Sequence, residues 1–314
     1  MERPRDNPLA MNIVAVVITY HPELDALAAL LNALTPQVST VVVVDNGSDK
    51  SVRDWLDQHY SHGVVHGLFL GTNTGVASAQ NAGIAWARRQ GADHVVLFDQ
   101  DSLPAPDMIL HLSQAIQQKE KEGHKIGAAG PRYVDERNKD RAAFSRIDGL
   151  SLKKIRCDDE SEQIVSSDFV ISSGALISLA TLEKVGEMAE CLFIDQVDIE
   201  WGLRAKSLGY QSYGVCAAVM RHSLGETPIS FMGRKVLHHG PLRHYYILRN
   251  AVWLLFRPYI PLGWKWLFVR TIFLRFGFYT LTVAPRLEHL RMMSLGIWHG
   301  LRGRMGPYKR TATE

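Results

Sequence analysis

The chain has 314 residues, 46% of them hydrophobic, enough to bury the core of one large domain with an appendage or of two smaller ones. Three cysteines, Cys157, Cys191 and Cys216, odd in number and without CxxC spacing, argue against a disulfide framework and a zinc ribbon and fit a reducing cytoplasm. The net charge of +3 hides an asymmetry: from Arg243 to Arg304 ten Lys or Arg face the single acid Glu288, so this stretch carries +9 and the rest about −6, which points to an anionic partner or surface.

The leader MERPRDNPLA places acids and prolines ahead of the first apolar run, so residues 1–11 read as a disordered segment and not as a secretory signal. Asn12 to Thr19 (NIVAVVIT) reads as a buried strand, Tyr20-His21-Pro22 as a turn, and Glu23 to Leu34 as a helix. Thr40 to Val44 (TVVVV) is a second β-branched run, ending in Asp45-Asn46-Gly47-Ser48. Strand, helix and strand with short connections predict a parallel sheet with crossover helices. At the end of such a strand a carboxylate or amide can hydrogen-bond a base or ribose; the plain alternative is an Asx turn or a helix cap.

Val64 to Leu70 suggests a third strand, and Gly71 to Gly83 (GTNTGVASAQNAG) opens a helix that runs to Arg89. Its small residues let it lie close to the sheet or to a ligand, and its start offers N–H donors to a phosphate or carbonyl. Neither GxGxxG nor GxxxxGK[ST] is present. His94 to Ser102 (HVVLFDQDS) is the stretch around which the chain is organised: an apolar strand followed by Asp99 and Asp101. Strand alternation would send these two carboxylates to one side and Gln100 to the other. At the exit of a parallel strand the pair could take a divalent cation and, through it, a diphosphate; a polar turn capping the next helix is the simpler reading.

Asp107 to Lys119 predicts an amphipathic helix and Ile126 to Pro131 a strand. Asp135 to Glu162 reads as a variable loop with a hairpin near Leu150 to Ile155. Val165 to Ser178 returns to β character, with Gly174 either a close backbone approach to a substrate or a strand bulge. Phe193 to Arg204 (FIDQVDIEWGLR) brings Asp195, Asp198 and Glu200 to the start of a helix that ends at Gly209. Acids there stabilise a helix by about 0.3–1 kcal/mol each, but one held in an apolar pocket would gain proton affinity and serve as a general base. After a strand from Ser212 to Met220 comes Arg221-His222; a lone histidine is more often structural, yet at a strand end imidazole suits a dication such as Mn²⁺.

The ordered set VVITY, VVDNGS, NTGVASAQNAGI, FDQDS, SSGALIS, FIDQVDIEWGLRAKSLGY and His222 resembles inverting family-2 glycosyltransferases of the GT-A fold, and in detail bacterial rhamnosyltransferases that use dTDP-L-rhamnose. The resemblance implies an α/β fold with a mostly parallel central sheet flanked by helices, spanning 12–240, and a C-terminal amphipathic helical segment over 241–314. It implies that Thr19, Tyr20, Asp45, Asn46, Asn73, Gly75, Asn81, Asp99 and Gly174 line the nucleotide-sugar pocket. It further implies that Asp101 and His222, with Asp99, hold Mg²⁺ or Mn²⁺. The catalytic base falls at Asp198, aligned on Arg204; Val197 stands where the family usually has Glu, and Asp195 is the rival. The implied partners are dTDP-L-rhamnose and a saccharide acceptor suited to a lipid carrier, in O-antigen or other surface-polysaccharide assembly, with no nucleic acid.

From Tyr245 to Trp298 aromatic and apolar residues are dense, but Arg257, Lys265, Arg270 and Arg275 break every run before it reaches the 18 or so residues of a bilayer span. Cationic, Trp-containing helices fit an anionic inner leaflet, giving a cytoplasmic, peripherally bound protein; mutual packing or a homo-oligomer contact is the alternative. A UDP-hexose transferase, and a non-catalytic nucleotide-binding or scaffold protein of the same fold, are the competing functions. A sugar-nucleotide pyrophosphorylase would need a glycine-rich, Arg-containing loop after the first strand, where TYHPELD stands instead.

Overall fold

A computed structural model describes residues 11–60, 63–134, 143–157, 164–222, 228–231, 234–237 and 239–309, with side chains outside 222–238. The N-terminal part alternates β1 (Ile13–Thr19), α1 (Leu24–Leu34), β2 (Thr40–Asp45), α2 (Lys50–Tyr60), β3 (Val65–Phe69), α3 (Val76–Arg89) and β4 (His94–Asp99). Then come β5 (Ser102–Pro104), α4 (Met108–Lys121), β6 (Ile126–Val134), β7 (Phe144–Asp148), β8 (Ser151–Ile155), β9 (Ile164–Ser167), β10 (Leu176–Ser178), α5 (Leu179–Val185), α6 (Val197–Ser207) and β11 (Gln211–His222). The short strands β12 (Pro228–Phe231) and β13 (Arg234–Leu237) precede α7 (Pro241–Leu255), α8 (Leu262–Thr282) and α9 (Arg286–Arg302).

The central sheet runs β3-β2-β1-β4-β10-β6-β11-β5, with β9 also on β11. The first four strands are parallel, as the apolar runs of β1, β2 and β4 predict, and beyond β4 the pairings become mixed. Every residue of β1 is buried, because both faces of the sheet are covered. Ala15, Val17, Val43 and Phe98 pack toward α1, α2 and α4; Val16, Ile18, Val44 and Leu97 pack toward α3, α5 and α6. Each such Val, Ile, Leu or Phe contributes about 1.5–3 kcal/mol of burial. On α3, a Cβ at Gly83 would come within 2.2 Å of Val16, so glycine there lets the helix lie on the sheet.

Three sequence expectations change. The β region from Val165 to Ser178 is two strands on different neighbours, β9 against β11 and β10 between β4 and β6. They are separated because Asp168 turns inward to accept from Ile147 N–H and Trp264 Nε1–H and to pair with Lys206, and because Gly174 adopts φ +84°. Second, α2 and α5 fill stretches where no element was expected: α2 turns an apolar face with Val52 and Leu56 into the core, and α5 is a two-turn helix capped by the Ser178 hydroxyl accepting from Ala180 N–H. Third, Cys157 and Cys216 form a disulfide between the β7-β8 hairpin and β11, leaving Cys191 as the free thiol. The fold brings together two cysteines 59 positions apart, so cysteine usage no longer argues for a reducing compartment. The expected disordered leader lies, but for residue 11, outside the described residues.

The C-terminal helices dock on the sheet body through Ala251, Leu254, Trp264 and Phe268 against Leu203 of α6. Helices α7 and α9 cross at contact distance, since a Cβ at Gly296 or Gly300 would lie 2.5 or 2.6 Å from the Tyr245 or Arg249 carbonyl oxygen. Among the described residues no helix is long and apolar enough to cross a membrane. Alkylation of the unreduced, denatured chain followed by mass spectrometry is expected to label Cys191 alone, with all three thiols reacting only after reduction; equal labelling of all three without reductant would refute the pairing.

Candidate active site

The carboxyl ends of β1, β2 and β4 finish level with one another, with Thr19 opposite Asp45 and Ile18 opposite Asp99. Polar side chains therefore begin where the apolar core stops, and there a cleft of about 680 Å³ opens, within the size range of small-molecule sites. Its wall includes Tyr20, Asn46, Asn73, Gly75, Asp99, Gln100, Asp101, Asp195, Asp198 and Arg243. Of the residues expected for nucleotide and metal, Tyr20, Asn46, Asn73, Gly75, Asp99 and Asp101 thus share one surface.

Four do not line it, and the side chain of a fifth, His222, is not among those described. Thr19 is fully buried and donates to Asp45 Oδ1, while Asp45 Oδ2 accepts from Ser48 N–H, the Asx-turn geometry foreseen as its plain alternative. Asn81 is bound at both ends, its Nδ2 donating to Met188 O and Glu190 Oε1 and its Oδ1 accepting from Met188 N–H, so it staples α3 to the loop ahead of α6. At Gly174 the close backbone approach is to Pro131, whose Cγ would sit 2.4 Å from a Cβ. His222 lies in β11 with its backbone paired to Ser102, next to Asp101, and its side chain is outside the described set.

The loops that do reach the cleft are laced to each other. Asn46 Oδ1 accepts from Thr74 N–H, Asn46 Nδ2 donates to Asn73 Oδ1, and that oxygen also accepts from Gly75 N–H. The start of α3 is not left open to a ligand as its sequence suggested, because Val76 N–H donates to the Phe193 carbonyl at 2.7 Å. The strand alternation expected through Asp101 stops at Asp99, where β4 ends and the chain turns. Gln100 consequently faces the cleft with both carboxylates, and its side chain brackets Tyr20, accepting from its N–H and donating to its carbonyl.

Opposite stands the loop 193–196, in which Phe193, Asp195 and Gln196 all take positive φ, between 63° and 67°. For non-glycine residues this costs about 1–2 kcal/mol each, so neighbouring groups must hold it. Asp195 is paired with Arg243 of α7 through Nη2 at 3.1 Å and Nε at 3.3 Å. Asp198, in the first turn of α6, takes its hydrogen bond from the adjoining Ile199 N–H. Burial pushes the Asp198 carboxyl up to about 6, and the carboxylates of Asp99 and Asp195 push the same way. The third acid, Glu200, is 1% exposed and serves structure: it forms a two-point pair with Arg204 and accepts from the Tyr259 hydroxyl.

Among the described residues no cluster of three or more His, Cys, Asp or Glu forms a ready-made metal centre. Asp99 and Asp101 still match the donor set of a hard dication, since such ions are often held by one or two carboxylates and complete their shell with water and substrate phosphate. Arg243, Phe193 and Gln100 were not foreseen. Arg243 sits in a stretch whose basicity read as a surface property, and Phe193 and Gln100 gain their places from backbone turns that periodicity does not encode.

A parallel half-sheet whose strand ends feed a carboxylate-lined cleft, continued by a mixed half, is the architecture of GT-A glycosyltransferases. Solved structures share it: GalNAc-T7 with UDP, GalNAc and Mn²⁺ (TM-score 0.60, 12% identity, 94% of this chain and 57% of that one), and S. aureus TarS 1–349 with UDP-GlcNAc (TM-score 0.58, 15% identity, 94% and 82%). The family model of glycosyl transferase family 2 matches residues 15–171. A dTDP-rhamnosyl transferase, RfbF of Shigella flexneri, is 35% identical over 298 residues, covering 94% of this chain and 97% of that protein. A galactofuranosyltransferase, GlfT1 of Mycolicibacterium smegmatis, is 25% identical over 308 residues, covering 90% and 96%. The chain belongs to glycosyl transferase family 2 and is a glycosyltransferase.

The raised proton affinity of Asp198 sets a stability test. A carboxyl that titrates at about 6 folded and at 3.8 unfolded favours folding fully below 3.8 and loses that contribution as pH rises through about 6. In EDTA, Asp198→Asn is therefore expected to raise the melting temperature at pH 7.5, with the gain shrinking as pH falls toward 4. A difference that stays constant over that range would show that Asp198 is not perturbed.

Proposed function

We propose that the chain moves L-rhamnose from dTDP-L-rhamnose to a saccharide hydroxyl with inversion, Asp198 being the base. The observation that carries this reading is a partly buried carboxyl of raised proton affinity on the same cleft as the Asp99–Asp101 pair. The donor is supported by the likeness to the Shigella dTDP-rhamnosyl transferase along nearly the whole of both chains. Between the two candidate bases, Asp198 is preferred because Asp195 is held as the anionic partner of Arg243.

In this mechanism the acceptor O–H proton passes to the Asp198 carboxylate as the oxygen attacks the anomeric carbon. The bond from that carbon to the diphosphate breaks on the opposite face, and one displacement inverts the configuration. Tyr20, Asn46 and Asn73 would line the nucleotide side, with Gln100 holding the Tyr20 backbone. A divalent cation, Mg²⁺ or Mn²⁺, held by Asp99 and Asp101 with His222 beside them in sequence register, would supply neutralisation of charge on the departing dTDP. Asp198→Asn is expected to lower kcat by about 10²–10⁴, the range for loss of a general base, while dTDP binding persists. The wild-type chain should consume dTDP-rhamnose in a Mn²⁺- or Mg²⁺-dependent way; consumption of a UDP-sugar with dTDP-rhamnose inert would overturn the donor.

The acceptor is proposed to be lipid-linked, in bacterial O-antigen or related surface-polysaccharide assembly at the inner face of the plasma membrane. What supports this is the outer surface of α8 and α9, where Leu262, Trp266, Phe273, Leu281 and Leu287 are exposed among the exposed cations Arg270, Arg286 and Arg291. The chain is expected to cosediment with vesicles rich in phosphatidylglycerol, to release with salt and to ignore neutral phosphatidylcholine. Failure to bind, or a stable dimer that hides these residues, would remove the membrane reading.

A further inference from the structure

Asp195 and the base-bearing start of α6 owe their place to a loop in an unfavourable conformation, and what holds that loop comes from outside the catalytic sheet. One face of α7 reads it residue by residue. Arg243 pairs with the Asp195 carboxylate; Tyr246, three positions on, stacks on Phe193 with ring centroids 5.1 Å apart at 18°. Asn250, seven positions after Arg243 and so two turns along the same stripe, donates through Nδ2 to the carbonyls of Leu192 (3.1 Å), Ile194 (2.8 Å) and Asp195 (3.1 Å).

The orientation of that amide is dictated by Arg249. The guanidinium, buried like Asn250, donates to Asn250 Oδ1 from Nε and Nη2 at 3.1 and 3.0 Å, so Nδ2 has to face the loop. Arg249 itself is fastened to the carbonyls of Leu192 and Gly306. Its charge thereby strengthens a chain of hydrogen bonds that ends on three carbonyls of one loop. A helix packed only for stability would not need a fully buried Arg–Asn pair spent on the main chain of a single turn.

We infer that Asn250, oriented by Arg249, is a positioning residue of the transferase: it holds loop 192–196 in the left-handed geometry that presents Asp195 and Asp198 to the cleft. The C-terminal helices are on this account part of the active site and not solely a docking surface. The inference rests on Asp198 as the base proposed above, and its test includes a readout that needs no turnover.

Asn250→Asp keeps an acceptor for Arg249 and removes the donors to the loop; Asn250→Ser keeps one donor and is the second variant should the first fail to fold. With either, kcat is expected to fall about 100-fold, the cost of misplacing a catalytic group by about an ångström, while dTDP affinity stays within about twofold. The amides of Phe193 and Ile194, hydrogen-bonded inside the loop, should exchange about tenfold faster with exchange in the sheet unchanged. Unchanged kcat, unchanged loop exchange, or kcat and dTDP binding lost together would overturn the inference. So would failure of both variants to fold, which makes Asn250 a fold anchor. A wild-type chain inert toward dTDP-rhamnose removes the donor assignment alone, and the exchange result then decides this one.

Discussion

Burial of the parallel strands on both faces is the constraint from which the site follows. With Val and Ile packed on either side of β1, β2 and β4, the middle of each strand is apolar, and polar side chains gather at the strand ends. Because the three strands end close together, Asp45 and Asp99 stand at neighbouring strand ends, and the connections that follow them can exchange hydrogen bonds. The cleft is the place where a dry sheet gives way to loops that must satisfy their own backbone.

That satisfaction sorts the polar residues. Asp45, Asn81, Asp168 and Glu200 are acids and amides of the kind that do chemistry, yet each has its atoms committed to closing a turn, stapling a helix or pairing a buried cation. Asp198 differs in taking hydrogen bonds from its own and its neighbour's backbone N–H, and burial among other carboxylates leaves it with an appetite for a proton. The cleft gathers four acids, Asp99, Asp101, Asp195 and Asp198, with Arg243 supplying a positive charge at one of them. Such a field favours a cation-bound diphosphate on one side and proton abstraction on the other.

The helical C-terminus carries two surfaces of opposite purpose. Its inner stripe on α7 spends ionic and amide groups on a single loop, and its outer stripes on α8 and α9 leave large apolar side chains among arginines. Both surfaces belong to one set of helices, so the outer face of α8 and α9 is joined through α7 to the loop that precedes α6. The Trp264 bond to Asp168 and the packing of Leu254 on Leu203 fasten these helices to the sheet body.

Much of this could be read from sequence because it is local. Apolar runs without period announced the parallel strands, their terminal acids marked the cleft edge, and Asp198 and Asp195 stood out as more acids than a helix start needs. What sequence could not decide depends on pairs distant along the chain. Hydrogen bonds tie Thr19, Asp45 and Asn81 to distant parts of the fold, Pro131 fills the space beside Gly174, and Cys157 meets Cys216. Arg249 and Asn250 lay in an apolar helix with no local sign of their targets. Periodicity reports which face of a segment is dry; only the folded arrangement determines which polar atoms already have a partner, and so which remain to meet a substrate.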